Sequence, residues 1–120
     1  MGIEKRLYSR VKFRWPAMIF TTKRVIEGIT RNVSANGAFI YYYQPHEHGL
    51  PLPSRKRLAV VIRTPDRLPL LARAEVMWSD FLSSDEENTL LGVGLRFSDV
   101  FFEDRQYLRN TIAEHFTKTE

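Results

Sequence analysis

The sequence contains no cysteine. Disulfides, thiolate metal sites and cysteine nucleophiles are therefore excluded. No apolar run approaches the roughly 20 residues that a membrane-spanning helix needs. The N-terminus carries Glu4 early and lacks the apolar stretch of a secretory signal, so the expectation is a cytoplasmic protein. Three catalytic signatures are also missing: a phosphate loop, His-Glu-x-x-His and Gly-x-Ser-x-Gly. Paired carboxylates occur only in segments that read as exposed. The expectation is thus a binding protein and not an enzyme. Internal repeats and low-complexity tracts are absent as well.

What is present is an ordinary globular composition, 43% hydrophobic and 27% charged, over 120 residues. That length allows one domain with one sizeable core. The net charge is +4. Its distribution says more. Residues 1–31 hold eight basic side chains (Lys5, Arg6, Arg10, Lys12, Arg14, Lys23, Arg24, Arg31) against Glu4 and Glu27. An excess of this kind at one end of the chain points to an anionic partner.

The hydrophobic pattern is of period two for most of the length. Val11, Phe13, Trp15, Ala17 and Ile19 alternate with polar residues or proline, and Pro16 places this first strand at an edge or a bulge. A second strand is expected from Arg24 to Ser34, with Val25, Ile29 and Val33 on one parity. A third runs from Gly37 to Tyr43. The stretch Gln44 to Lys56, with three prolines and a glycine, reads as a loop. Strands follow at Arg57 to Arg63, Leu71 to Ser79 and Thr89 to Phe97, the last two separated by an acidic loop from Ser83 to Asn88. In the fifth, Ala72, Ala74, Val76 and Trp78 share a side, which places Trp78 in the core. Phe101, Leu108, Ile112 and Phe116 then form a helical stripe. Ser98 or Asp99 would cap that helix, and Glu103 and Asp104 suit its first turn. Six short antiparallel strands and a terminal helix predict an all-β, six-stranded antiparallel barrel with a C-terminal α-helix, since closure removes exposed strand edges. The helix is expected across the barrel or its mouth.

Two short motifs stand out. Arg6 and Arg10 are four residues apart, just before the first strand. Asn32-Val33-Ser34-Ala35-Asn36-Gly37 joins the second strand to the third. An extended chain there puts Asn32 and Ser34 on one face and Val33 on the other. Gly37 can take φ > 0 or permit close approach of a neighbour. Arg-x-x-x-Arg followed 22 residues later by Asn-x-Ser-x-x-Gly resembles the PilZ domain family, from about Lys5 to the C-terminus. Gly92-Val93-Gly94-Leu95-Arg96-Phe97 before a helix is also similar to that family's C-terminal half. The resemblance implies a bacterial receptor for the second messenger cyclic di-GMP. It implies a flexible N-terminal arm, residues 1–9, carrying the first motif, and a barrel with its helix over 10–120. It further implies ligand contacts from Arg6, Arg10, Asn32, Ser34 and Gly37. Many members have Asp where this chain has Asn32, which is neutral and both donates and accepts. Lys5 is an added candidate, and a basic residue there goes with a stacked pair of ligand molecules. Trp78 is a further candidate for stacking on a base, set against its core parity.

Other features read as structural. His46-Glu47-His48 in a proline-rich loop is a poor metal set, so no metal or other cofactor is expected. Tyr41-Tyr42-Tyr43 alternates faces, and Asp85-Glu86-Glu87 reads as a solvated loop. The resulting expectation is a receptor that passes its signal to a separate effector protein by ordering the arm. The alternatives are a PilZ-like protein-binding adaptor with a vestigial ligand site, or a small basic barrel that binds single-stranded nucleic acid.

Overall fold

The computed structural model describes residues 11–46 and 51–118. Its strands are β1 (Pro16–Phe20), β2 (Val25–Ser34), β3 (Gly37–Pro45), β4 (Arg57–Ile62), β5 (Leu70–Ser84) and β6 (Asn88–Val100), followed by helix α1 (Phe102–Lys118). The strands are antiparallel to their neighbours and close into a barrel in the order β1-β2-β3-β6-β5-β4. The expected architecture is therefore the one observed.

Alternation explains the core. Ala17 and Ile19, Leu58, Val60 and Ile62, and Leu91, Val93, Leu95 and Phe97 all point inward and are buried together. Burying each large aliphatic side chain contributes about 1.5–3 kcal/mol. Register shifts between β2 and β3 and between β5 and β6 reset the alternation, and two of them decide which side chains reach the candidate site. One lies between Thr30 and Asn32, so Ile26 and Thr30 face in before it and Val33 after it. Val25 and Ile29, which share the parity of Val33 by counting, are instead exposed on the outer wall. The other is the shift between Val76 and Trp78, one of three along β5 and β6. It turns Trp78 out of the core, to 36% exposure, and corrects the core reading of that residue.

Several boundaries differ from the sequence reading. The first strand begins only at Pro16. Val11 makes an isolated bridge with Val33, and residues 12–15 between them are not in the ladder. The buried Thr30 hydroxyl takes the ladder's place there, accepting from the Trp15 backbone N–H at 2.8 Å and donating to the Phe13 carbonyl. Pro16 sits at the start of a strand paired on both sides, since closure leaves no edge. β5 and β6 are longer than expected and form one hairpin whose bend is only Asp85–Glu87, held by Asp85 accepting from the Glu87 and Asn88 N–H groups at 2.9 and 2.7 Å.

The helix starts after β6 runs through Val100, so neither Ser98 nor Asp99 caps it. The Phe101 carbonyl accepts its first bonds, from Asp104 and Arg105 at 3.0 and 3.1 Å. Leu108 and Ile112 are buried, but Phe101 and Phe116 are 66% and 45% exposed. Its apolar contact with the core runs through Leu108 and Ile112. The helix is tied to the β4–β5 turn by Arg67–Asp104 at 2.5 Å and by Tyr107, whose hydroxyl donates to the Pro65 carbonyl at 3.4 Å. Its C-terminal part meets the entering chain through His115 against Phe13. It thus covers the end of the barrel where β2 passes into β3.

Candidate functional site

The β2–β3 bend is two residues, Ala35 and Asn36. Ser34 and Gly37 are cross-strand partners on either side of it. The Ser34 hydroxyl serves the bend itself. It accepts from the Asn36 N–H at 3.2 Å and donates to the Gly37 carbonyl at 3.4 Å. One of its two lone pairs is left over. Ser34 and Val33 are buried, and Asn32 is half-buried. No hydrogen bond joins the Asn32 carboxamide to another described residue, so both its donors and its acceptor are available.

Gly37 is explained by close approach and not by backbone angle. Among the described residues no glycine has a positive φ. A Cβ on Gly37 would lie 2.2 Å from the Leu95 carbonyl oxygen, because β3 starts hard against β6. The Asn36 carbonyl continues that contact, accepting from the Phe97 N–H at 2.8 Å.

The incoming chain meets the bend directly. Val11 donates its N–H to the Val33 carbonyl at 3.0 Å and accepts from the Val33 N–H at 2.9 Å. This pairing sits between Asn32 and Ser34. Lys5, Arg6 and Arg10 lie outside the described residues.

Ladder register sets two rows across the outer wall. Asn32, Phe39, Gly94 and Trp78 are successive cross-strand partners, one on each of β2, β3, β6 and β5. Ser34, Gly37, Arg96 and Glu75 form the next row. In the first, Gly94 leaves a flat floor: a Cβ there would lie 2.3 Å from the Trp78 indole. Phe39 meets Trp78 edge-on at 4.5 Å and Tyr41 at 4.9 Å. Arg31 lies over the Phe39 and Tyr41 rings, 6.0 and 5.4 Å from their centroids, and its guanidinium donates to the Tyr41 hydroxyl. In the second row Arg96 bonds Glu75 at 2.5 Å, and Arg55 stands 3.6 Å from the same carboxylate. The Arg96 hydrogen bond, opposed by desolvation and helped by the charges of Arg55 and Arg57, holds Glu75 below the usual carboxylate range.

The arrangement is a shallow surface. It offers a free carboxamide, exposed guanidinium groups on two sides and an aromatic wall, which together suit a flat, anionic, hydrogen-bonding ligand. Nothing local in the sequence marks Arg31, Phe39 or Arg96 as a ligand-binding candidate. The β3–β6 register that brings Arg96 beside Gly37 carries no local signal. His46 is committed elsewhere, its ring nitrogens 2.9 Å from Thr89 Oγ1 and 2.8 Å from the Asp85 carbonyl. Among the described residues no cluster of three or more His, Asp or Glu could hold a metal, and no helix is long and apolar enough to cross a membrane.

Comparison with solved structures gives the same fold. The Bacillus subtilis inhibitor of motility, MotI, superposes with a TM-score of 0.77 at 21% identity, over 98% of this chain and 54% of that one. The PilZ domain of YcgR from Escherichia coli, solved with cyclic di-GMP, gives 0.69 at 14% identity, over 96% of this chain and 94% of that one. MrkH, a cyclic di-GMP-dependent transcription regulatory factor, gives 0.72 at 11% identity, over 93% and 51%. The chain thus spans about half the length of MotI and MrkH. No curated protein matches it. The profile of the PilZ domain matches residues 4–114, and with that coverage the chain belongs to the PilZ domain family.

Proposed function

We propose that this chain is a non-enzymatic, cytoplasmic receptor that binds cyclic di-GMP at the β2–β3 bend and passes the signal to a separate effector protein. The observation that carries the reading is the Val11–Val33 pairing. Arg6 is five residues before Val11, so a fully extended chain tethers it within about 17 Å of Val11, beside the bend. Both motif arginines are therefore in reach of Asn32, Ser34 and Gly37. A PilZ domain solved with cyclic di-GMP shares this fold.

Each group has a role its chemistry suits. Arg6 and Arg10 present planar forks to guanine edges or phosphates. Asn32 both donates and accepts at a guanine edge. Ser34 offers its remaining lone pair, and Gly37 lets the ligand approach the backbone. Trp78 supplies a ring face, Arg96 a further cation, and Lys5 a charge beside a second stacked ligand molecule. A bidentate arginine–guanine contact contributes about 1–3 kcal/mol, whereas micromolar binding needs about 8 kcal/mol. Two arginines are thus insufficient without the bend and the wall. Ordering of residues 1–9 over the ligand would reshape the surface at the helix-capped end of the barrel, and the effector reads that change.

Calorimetry of the purified chain with cyclic di-GMP tests the reading. Binding that is lost in Arg10→Ala, with an unchanged melting temperature, supports it. Absence of binding by the wild-type chain defeats it.

A further inference from the structure

The outer wall opposite the candidate site is apolar. β1 is three strands from β6 in either direction round the barrel. On it and its neighbours, Met18 pairs with Val61, which pairs with Leu71, and Phe20 pairs with Val25 on its other side. Met18, Phe20, Val25, Ile29 and Leu71 are all exposed, Ile29 to 51%. An alternating strand in a monomeric barrel ordinarily turns polar side chains to water. Here the outward positions of β1 are Pro16, Met18 and Phe20, with no charge among them. Clusters of this kind mark contact surfaces.

The surroundings indicate which contact. Lys23, Arg57, Arg63 and Arg73 are exposed around the cluster. Among the described residues Lys23, Arg63 and Arg73 take part in no ion pair, and Arg57 stands opposite Glu75. The acidic residue on the face is Glu27, beside Met18, and Asp99 stands opposite Arg73 on the β6 side. The face is the convex wall of a barrel. Apolar side chains on a convex surface, inside a ring in which exposed cations outnumber carboxylates, complement a deformable anionic surface better than a second copy of the same basic ring.

We propose that this face is a peripheral docking surface for anionic lipid headgroups, with Met18, Phe20 and Leu71 entering the interfacial layer and the surrounding cations meeting lipid phosphates. It lies away from the bend, so both faces can be occupied at once. Each basic residue brought to an anionic leaflet strengthens binding about fivefold.

The test is flotation of the full chain with vesicles of phosphatidylcholine alone or with about 30 mol % phosphatidylglycerol. Binding to the anionic vesicles at about 0.1 M salt, loss of most of it at about 0.5 M, and little binding to neutral vesicles are expected. Met18→Ser with Phe20→Ser should lower the partition at least about tenfold, and Arg63→Glu with Arg73→Glu should do the same. These side chains are exposed, so the melting temperature should hold, and circular dichroism checks that it does. Failure to float with anionic vesicles overturns the proposal. So does binding that both double variants leave intact, which would be adsorption through the basic residues 5–14. A dimer in sedimentation velocity that the Met18/Phe20 variant abolishes, without vesicle binding, would make the face a protein interface instead.

Discussion

Val11 and Val33 exchange both of their backbone hydrogen bonds, at 3.0 and 2.9 Å. The residue that directly follows the first motif in sequence is thereby paired with one inside the second. Arg10 precedes Val11 by a single peptide bond, and Val33 lies inside Asn32-x-Ser34-x-x-Gly37. Had the chain entered at the other end of the barrel, the arginines would have had no route to the bend. The pairing makes the entering segment part of the site's frame, and its consequences can be tested separately from ligand binding.

Trp78→Ala should weaken cyclic di-GMP binding with little effect on stability. The indole is on the outer wall over Gly94, and stacking of a base on an aromatic ring contributes about 1–3 kcal/mol. A five- to hundredfold rise in Kd by calorimetry is expected. An unchanged Kd would remove Trp78 from the site and leave the motif residues in it.

Thr30→Val should act at a distance. The Thr30 hydroxyl is buried and bridges the Trp15 N–H and the Phe13 carbonyl. Valine keeps the shape and leaves both backbone groups without that partner, a cost of about 1–3 kcal/mol. The melting temperature should fall, and amides of residues 11–15 should exchange faster in hydrogen-exchange measurements. Equal exchange in the two proteins would show that the ladder alone holds the segment.

Gly37→Ala should be far more damaging than Ser34→Ala. The new Cβ would meet the Leu95 carbonyl at 2.2 Å, and relieving that contact means moving β3 off β6. Loss of at least about 2 kcal/mol is expected, as for other overpacked sites. Removing the Ser34 hydroxyl loses weak bonds of the bend and should cost about 1 kcal/mol. Chemical denaturation of both variants decides the order.

Tyr42→Phe should be neutral or stabilising at neutral pH. The Tyr42 hydroxyl is buried and has no hydrogen-bond partner among the described residues. Burial pushes its pKa above the ordinary 10.0, against the lowering effect of Arg24. A raised folded pKa gives stability that is complete below the unfolded value and lost as pH rises through the folded one. Wild-type stability should therefore decline above about pH 10, and the Phe variant should decline less. Melting curves from pH 7 to 11 measure the difference.

Much of the barrel is legible because inward and outward residues alternate, as Leu58, Val60 and Ile62 do. The reading breaks where a single inserted residue resets the count. Trp78 shares a parity with Val76 on paper, yet the bulge between them puts one inside and the other out. The helical stripe fails at its ends for another reason. Periodicity gives a face but not the length of the surface it meets, and here Leu108 and Ile112 are buried while Phe101 and Phe116 stay exposed. The motif residues were visible as a pattern. The aromatic wall of Phe39 and Trp78, and Arg96 beside Gly37, were not, since cross-strand neighbours are set by register between residues 39 and 59 positions apart in the chain.

The sequence by itself determined six strands and a helix, and where the polar bend falls, because side-chain alternation and turn chemistry are local. Only the tertiary structure decided which strands are neighbours, which glycines lie under a ring or a carbonyl, and that the chain enters beside the bend. Those depend on barrel closure, in which each strand's register is fixed by packing against two partners at once.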